Sequence, residues 1–383
     1  MSVLRGWVSL LLAILLPTAA LACLWDSETL KQERARFPSV LELITGKFLR
    51  HSKEFHEWRI KDRQNKLASD PGNIGYYDDI AVSYEKIGRH DKAIETILAK
   101  ENIQPGLYET YSNLGTFHIL AGDFEKGLPY IDKALAINPN AHFGREMYQK
   151  WLVEYAMSRM SDGKLSFPLG SGRGFAVFLA RRWNQYELSE EDSKAAVTGV
   201  LGMMRFANHE NPLLLEALGD LLLDCQGGYK DAKQLAARAY LKASYVVTGV
   251  PRQKYRELAQ QALILQTREG IPQLRELPLQ IVEAEFQQEL DDADRWYGAL
   301  HRQEQEWIRE GVDVDLRFDW LYANEPAAIF VSESALQTIP RLLFGTPERT
   351  LAYLTVVNSA ILTGVLALLI WRRKSGESTR ATG

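Results

Sequence analysis

Cysteine is nearly absent: two in 383 residues, Cys23 and Cys225, which excludes a disulfide scaffold and a thiolate metal centre. Positive charge is not in excess either, since 45 Lys and Arg stand against 49 Asp and Glu. A net charge of −4 argues against nucleic acid, which needs a basic footprint. Catalytic constellations are also missing. Gly170, Gly172 and Gly174 lack dinucleotide spacing and a preceding strand, so they read as a connector. His51 and His56 form no His-Glu-x-x-His motif, and His51 falls on an apolar stripe, so it reads as a packed histidine. Asp313, Asp315 and Asp319 lack the glycine and terminal glutamate of a calcium loop. No metal, cofactor or catalytic residue is expected, and the chain reads as a non-enzyme. With 46% hydrophobic and 25% charged residues, it falls in the ordinary globular range.

The two ends carry membrane signals. Arg5, the apolar run Trp7–Leu16, Pro17 and the small-x-small triplet Ala20-Leu21-Ala22 have the order of a secretory signal. Cys23 follows the expected cleavage point and is the candidate lipidation site, although Ala20 stands where a lipobox prefers leucine. At the other end, Leu351 to Trp371 is 21 residues without a charge, long enough for a hydrocarbon core of ~30 Å. Arg372, Arg373 and Lys374 follow directly, so the tail is expected in the cytoplasm and the preceding chain outside. For a bacterial protein that outside is the periplasm. Removing both ends leaves an acidic exported part.

Between the ends lies a repeat. Pro71, Pro105 and Pro139 are 34 residues apart, each placed to stop a helix. Within one period fall Tyr77, Ile80, Ala81, Tyr84, Gly88, Ala93 and Ile97. The next holds Tyr111, Leu114, Gly115, His118, Gly122, Phe124, Gly127, Ile131 and Ala134. Period and pattern together resemble the tetratricopeptide repeat, a helix–turn–helix unit. The departures are Ala81 for glycine, His90 and His118 at aromatic positions, and Lys100 for the last alanine.

The resemblance implies an all-α solenoid of helical hairpins. It also implies a concave groove, lined by first helices, that takes a protein partner. The corresponding positions are Asp78, Val82, Glu85, Glu109, Ser112, Asn113, Thr116 and Ile119. Only Asn113 resembles the carboxylate-clamping subset, so such a clamp is not expected.

Two units do not bury a solenoid core, and at least three are normally needed. Gly46–Leu67 and Phe143–Met160 read as flanking helices. Leu215, Leu218, Gly219 and Leu222, then Tyr229, Ala232, Ala236 and Ala239, read as a degenerate further unit. Ser189 with Asp192 marks a helix start, and Pro251 opens a helix towards Thr267. Leu279, Phe286, Ala293, Leu300 and Trp307 recur every seven residues, predicting a long helix to Glu310 that needs a helical partner. Val312, Val314, Leu316, Phe318 and Trp320 alternate with polar residues, which predicts a strand and, with Ala328–Val331, a small hairpin near the membrane. The basic run Lys47, Arg50, Lys53, Arg59, Lys61, Arg63 and Lys66 reads as a solvated helix face.

The expected organisation is a signal peptide (1–22), an N-terminal helical cap (23–73), and repeats 74–107 and 108–141 with a following helix to 160. A degenerate repeat-like region (161–268), a long helix and juxtamembrane segment (269–349), a transmembrane helix (350–371) and a cytoplasmic tail (372–383) complete it. The expected function is a membrane-anchored scaffold that binds protein partners on the extracytoplasmic side. Two rivals stand beside it: an enzyme or accessory subunit with a site in 161–345, and a self-associating structural envelope protein.

Overall fold

The structure, a computed structural model, describes residues 24–225, 231–264 and 278–330. The expected signal segment, Cys23 and the expected transmembrane stretch lie outside the described residues. Among the described residues no helix is long and apolar enough to cross a membrane.

Fifteen α-helices are described, and no strand. Two short ones, α1 (Thr29–Arg34) and α2 (Val40–Thr45), precede α3 (Lys53–Ser69). Ser39 and Glu42 form a reciprocal capping box that starts α2, and Ser52 caps α3. The predicted helix from Gly46 therefore begins only at Lys53, because left-handed Gly46 ends α2 and the chain turns before Ser52.

The repeat hairpins follow: α4 (Gly75–Lys86) with α5 (His90–Ile103), then α6 (Tyr108–Leu120) with α7 (Phe124–Ile137). Gly88 and Gly122 turn each hairpin at φ of +76° and +84°, values open to glycine and strained for other residues. Pro71, Pro105 and Pro139 all fall in the turns between units. Gly127 shows what the period protects. A Cβ there would sit 2.8 Å from the Gly115 carbonyl oxygen and 2.6 Å from Ile119. Gly127→Val is expected to lower stability by about 1–3 kcal/mol by forcing α6 and α7 apart. A urea midpoint unchanged from wild type would show that the two helices do not need this close approach.

Next come α8 (Arg145–Ser158), α9 (Gly174–Arg182), α10 (Glu190–Phe206), α11 (Pro212–Asp224), α12 (Ala232–Val246) and α13 (Val250–Ala262). Gly219 lets the Tyr240 ring approach, so α11 and α12 pair as the degenerate unit predicts. α13 ends at Ala262 with Leu263 as its C-cap, short of the predicted Thr267. The seven-residue stripe forms α14 (Leu279–Glu310), whose Leu279, Val282, Phe286, Leu290 and Ala293 are buried. Its partners are in the same chain. Phe286 stacks on Tyr245 of α12, and Glu289 holds Arg238 at 2.8 Å.

The predicted strand at 312–320 is instead α15 (Val314–Asn324). Asp313 caps it by accepting from Leu316 N–H. Val314, Phe318 and Tyr322, four residues apart, are buried, whereas Leu316 and Trp320 are exposed. The apparent alternation was an exposed helical face interleaved with a buried one. Ala328 pairs with no strand either; its N–H donates to Glu42.

Candidate functional site

The concave positions of the repeats are not open. Leu24 to Glu28 lies against α4 and α6, turning at Asp26–Glu28 into α1, and Asn113, fully buried on α6, grips its main chain at both ends of one residue. Asn113 Oδ1 accepts from Trp25 N–H and its Nδ2 donates to the Trp25 carbonyl, each at 2.9 Å. This two-point grip reads backbone and not side chain, and so suits any peptide main chain. On α4, Asp79 accepts from Ser27 N–H (2.9 Å) and from Ser27 Oγ (3.0 Å).

Beneath this segment lies a buried charge cluster. Arg59 of α3 is fully buried and holds Asp26 at 2.8 Å, Asp79 at 2.9 Å and Glu28 at 3.7 Å. Burial disfavours the Asp26 carboxylate, but Arg59 outweighs it and keeps the pKa below the ordinary value. Arg63 binds Asp79 at 2.8 Å and also pairs with Asp315. The basic run is therefore not one solvated face: Arg59 and Arg63 turn inward, and Lys47 pairs with Asp292 of α14.

The eight predicted groove residues separate into three groups. Asp78 and Asn113 meet at 3.2 Å behind the inserted segment, with Lys100 holding Asp78 at 2.6 Å. Burial nevertheless pushes Asp78 up to about 7. Val82 and Glu85 line a cavity, Glu85 being paired with His90. Ser112 and Thr116 face Glu146 and Gln149 of α8, and Ile119 is buried in the core. Only Glu109 is half-buried; the other seven are buried. An open groove at these positions is thus corrected to an occupied one. The sequence reading missed the occupant because 24–29 has no periodic pattern to announce it.

His51 is the packed histidine expected, and more. It stacks on Phe55 at 3.6 Å, while Nε2 meets Glu28 at 2.9 Å and Nδ1 meets Glu304 of α14 at 2.6 Å. Burial would lower its pKa; Glu28 first, then Glu304, raise it to about 9, so both nitrogens donate.

The Gly170–Gly174 connector is held by two carboxylates of α11. Glu216 accepts from Leu169 and Gly170 N–H at 3.0 and 2.9 Å, and Asp220 accepts from Phe175 N–H at 2.8 Å. Tyr255 and Tyr240 donate to them at 2.7 Å each. The partners are amides of the connector, an amide of the first turn of α9 and packing tyrosines, so the pair acts as a clasp on the connector and the helix that follows it. Burial, with Asp220 alongside, raises the Glu216 pKa above 4.5. A carboxyl raised by folding contributes stability that is present below pH 4.5 and lost as pH rises beyond it. Glu216→Gln is expected to reduce the drop in melting temperature between pH 5 and pH 8. An equal drop in wild type and variant would remove this group from the pH response.

Cys225 is a buried free thiol. Asp313, Asp315 and Asp319 serve as helix cap, Arg63 partner and Lys31 partner, and no metal-binding cluster occurs among the described residues.

The family profile described as Tetratricopeptide repeat matches residues 108–141, which contain α6, α7 and the turn beyond them. This chain carries a tetratricopeptide repeat, a unit that generally mediates protein–protein interaction and suggests such a role here. No match was found among curated proteins or among solved structures.

Proposed function

We propose that this protein is a non-enzymatic scaffold, exported by residues 1–22, anchored by 351–371, and presenting its repeats to a protein partner on the extracytoplasmic side. The observation that carries the reading is the two-point grip of Asn113 on the main chain of Trp25, inside a matched tetratricopeptide unit. The groove has the chemistry to hold a peptide main chain and uses it on its own chain. That shifts the partner's docking to the outer edge of the second helices. Ile103 and Ile137 occupy equivalent positions one 34-residue period apart, and each is 49% exposed.

Affinity purification of the tagged protein from gently solubilised membranes, with mass spectrometry, tests this. The expected result is a reproducible partner lost with Ile103→Glu plus Ile137→Glu. A partner retained by that variant but captured more strongly by Trp25→Gly would move docking into the groove. A partnerless preparation would overturn the scaffold reading and favour self-association. Alkaline carbonate extraction tests the anchor separately, since a protein released into the supernatant is not spanning the bilayer.

A further inference from the structure

Beside the inserted segment, the structure encloses a cavity of about 570 Å³, within the usual range for small-molecule sites. Its apolar wall is Leu24, Phe48, Val82, Leu120, Met204 and Phe206, all buried. Exposed Lys53, Gly88 and Asn208 mark the side open to solvent.

The charge of the lining is one-sided once its internal pairs are set aside. Asp26 is taken by Arg59, Glu28 by His51 and Glu85 by His90. Three cations in the lining have no carboxylate within ion-pair distance among the described residues. Arg50 lies flat on the Tyr297 ring at 3.5 Å and otherwise donates to the Gly46 and Phe48 carbonyls. Lys86 donates to the carbonyls of Phe206 (2.6 Å) and Ala207 (3.0 Å). Arg205, 6% exposed, rests between Phe37 and Phe206, and its Nη1 is buried with no hydrogen-bond partner. A buried guanidinium nitrogen left unpaired is costly, and a ligand oxyanion is the group that would satisfy it.

We propose that this cavity binds a small amphipathic anion, its carboxylate or phosphate monoester held by Arg50, Lys86 and Arg205 and its apolar body against Phe48, Val82 and Met204. The assignment does not depend on the scaffold reading, because it uses none of the backbone grip and none of the outer edge. Burial lowers the pKa of Lys86 to about 8, as expected of a cation that lacks an acidic partner, and a bound anion would reverse that. Burial likewise, helped by nearby cations, keeps His56 and His209 well below their ordinary value, so they face the ligand as neutral rings.

The test is calorimetric titration of the full chain in zwitterionic micelles. The probes are 3-phenylpropanoate, phenyl phosphate, 3-phenylpropanol and inorganic phosphate. The expected result is saturable one-to-one binding of one of the two organic anions, at least ~10-fold tighter than the alcohol or bare phosphate. Whichever organic anion binds more tightly identifies the head group as carboxylate or phosphate. Lys86→Gln keeps a donor for the two carbonyls and Arg205→Met keeps the stem on Phe206. Each should weaken binding roughly 10-fold with helicity unchanged. No saturable binding would overturn the proposal, as would an alcohol that binds equally well. Inorganic phosphate binding as tightly as phenyl phosphate would remove the apolar body from it. Variants with wild-type helicity and wild-type affinity would remove the named cations.

Discussion

Arg59→Met lowers the unfolding free energy by roughly 3–5 kcal/mol, the range for breaking a buried ion pair from one side. Three carboxylates depend on that guanidinium, from Asp26, Glu28 and Asp79, and all three are buried. Methionine fills much of the space but leaves those charges in a poorly solvated site. Arg59→Lys recovers only part of the loss, because one ammonium cannot face Asp26 and Asp79 together as the planar fork does. Urea unfolding followed by circular dichroism measures the change. Limited proteolysis locates it, since cleavage within 24–34 should accelerate before cleavage elsewhere. A loss under about 1 kcal/mol would mean that the cluster is far more hydrated than its burial indicates.

The second large effect is a pH dependence opposite to that of ordinary paired carboxylates. His51 titrates at 6.5 when unfolded and at about 9 in the fold, where Glu28 and Glu304 hold both ring nitrogens. A histidine raised by folding contributes stability that is fully present below pH 6.5 and disappears as pH passes 9. At about 1.36 kcal/mol per pKa unit, the term is on the order of 3 kcal/mol. The expected outcome is a decline in unfolding free energy between pH 6 and pH 9.5 that is smaller in His51→Gln by about this amount. The difference between the two proteins isolates His51 from Lys86 and Glu216, which respond in overlapping windows. Parallel curves for wild type and variant would show that the imidazole is not charged in the fold.

What the sequence made readable was whatever repeats. Proline spacing, the small residues at 115 and 127, and the seven-residue stripe of 279–307 each encode a helix face, and all appear as helices in the expected order. The strand at 312–320 failed because the five alternating apolar residues divide between two opposite faces of a helix, and only Val314 and Phe318 fall on the buried one. Only Asp313, whose cap fixes the helix start, favoured a helix. The groove failed for a different reason. Homologous position singled out Asp78 and Asn113, which bond each other, but nothing in Leu24-Trp25-Asp26-Ser27-Glu28 signals that Trp25 is held by Asn113. Buried Arg59 was equally hidden, since a charge that turns inward is indistinguishable in sequence from one on a solvated face. The cavity escaped notice because its lining comes from segments as far apart as 24 and 209.

The contacts that join the first helix to the last described one change what kind of folding this repeat protein can show. Lys31 meets Asp319 at 2.7 Å across 288 residues of chain, and Gln32 meets Tyr322 at 2.9 Å. An ordinary solenoid is a one-dimensional array, in which units melt semi-independently and fraying begins at the ends. Here α1 and α15 zip the two ends of the array together, so neither end can fray without opening the other. Unfolding should then be a single sharp transition. Refolding should be slow for so helical a chain, because the closing contacts are the most distant in sequence that the fold contains among these helices.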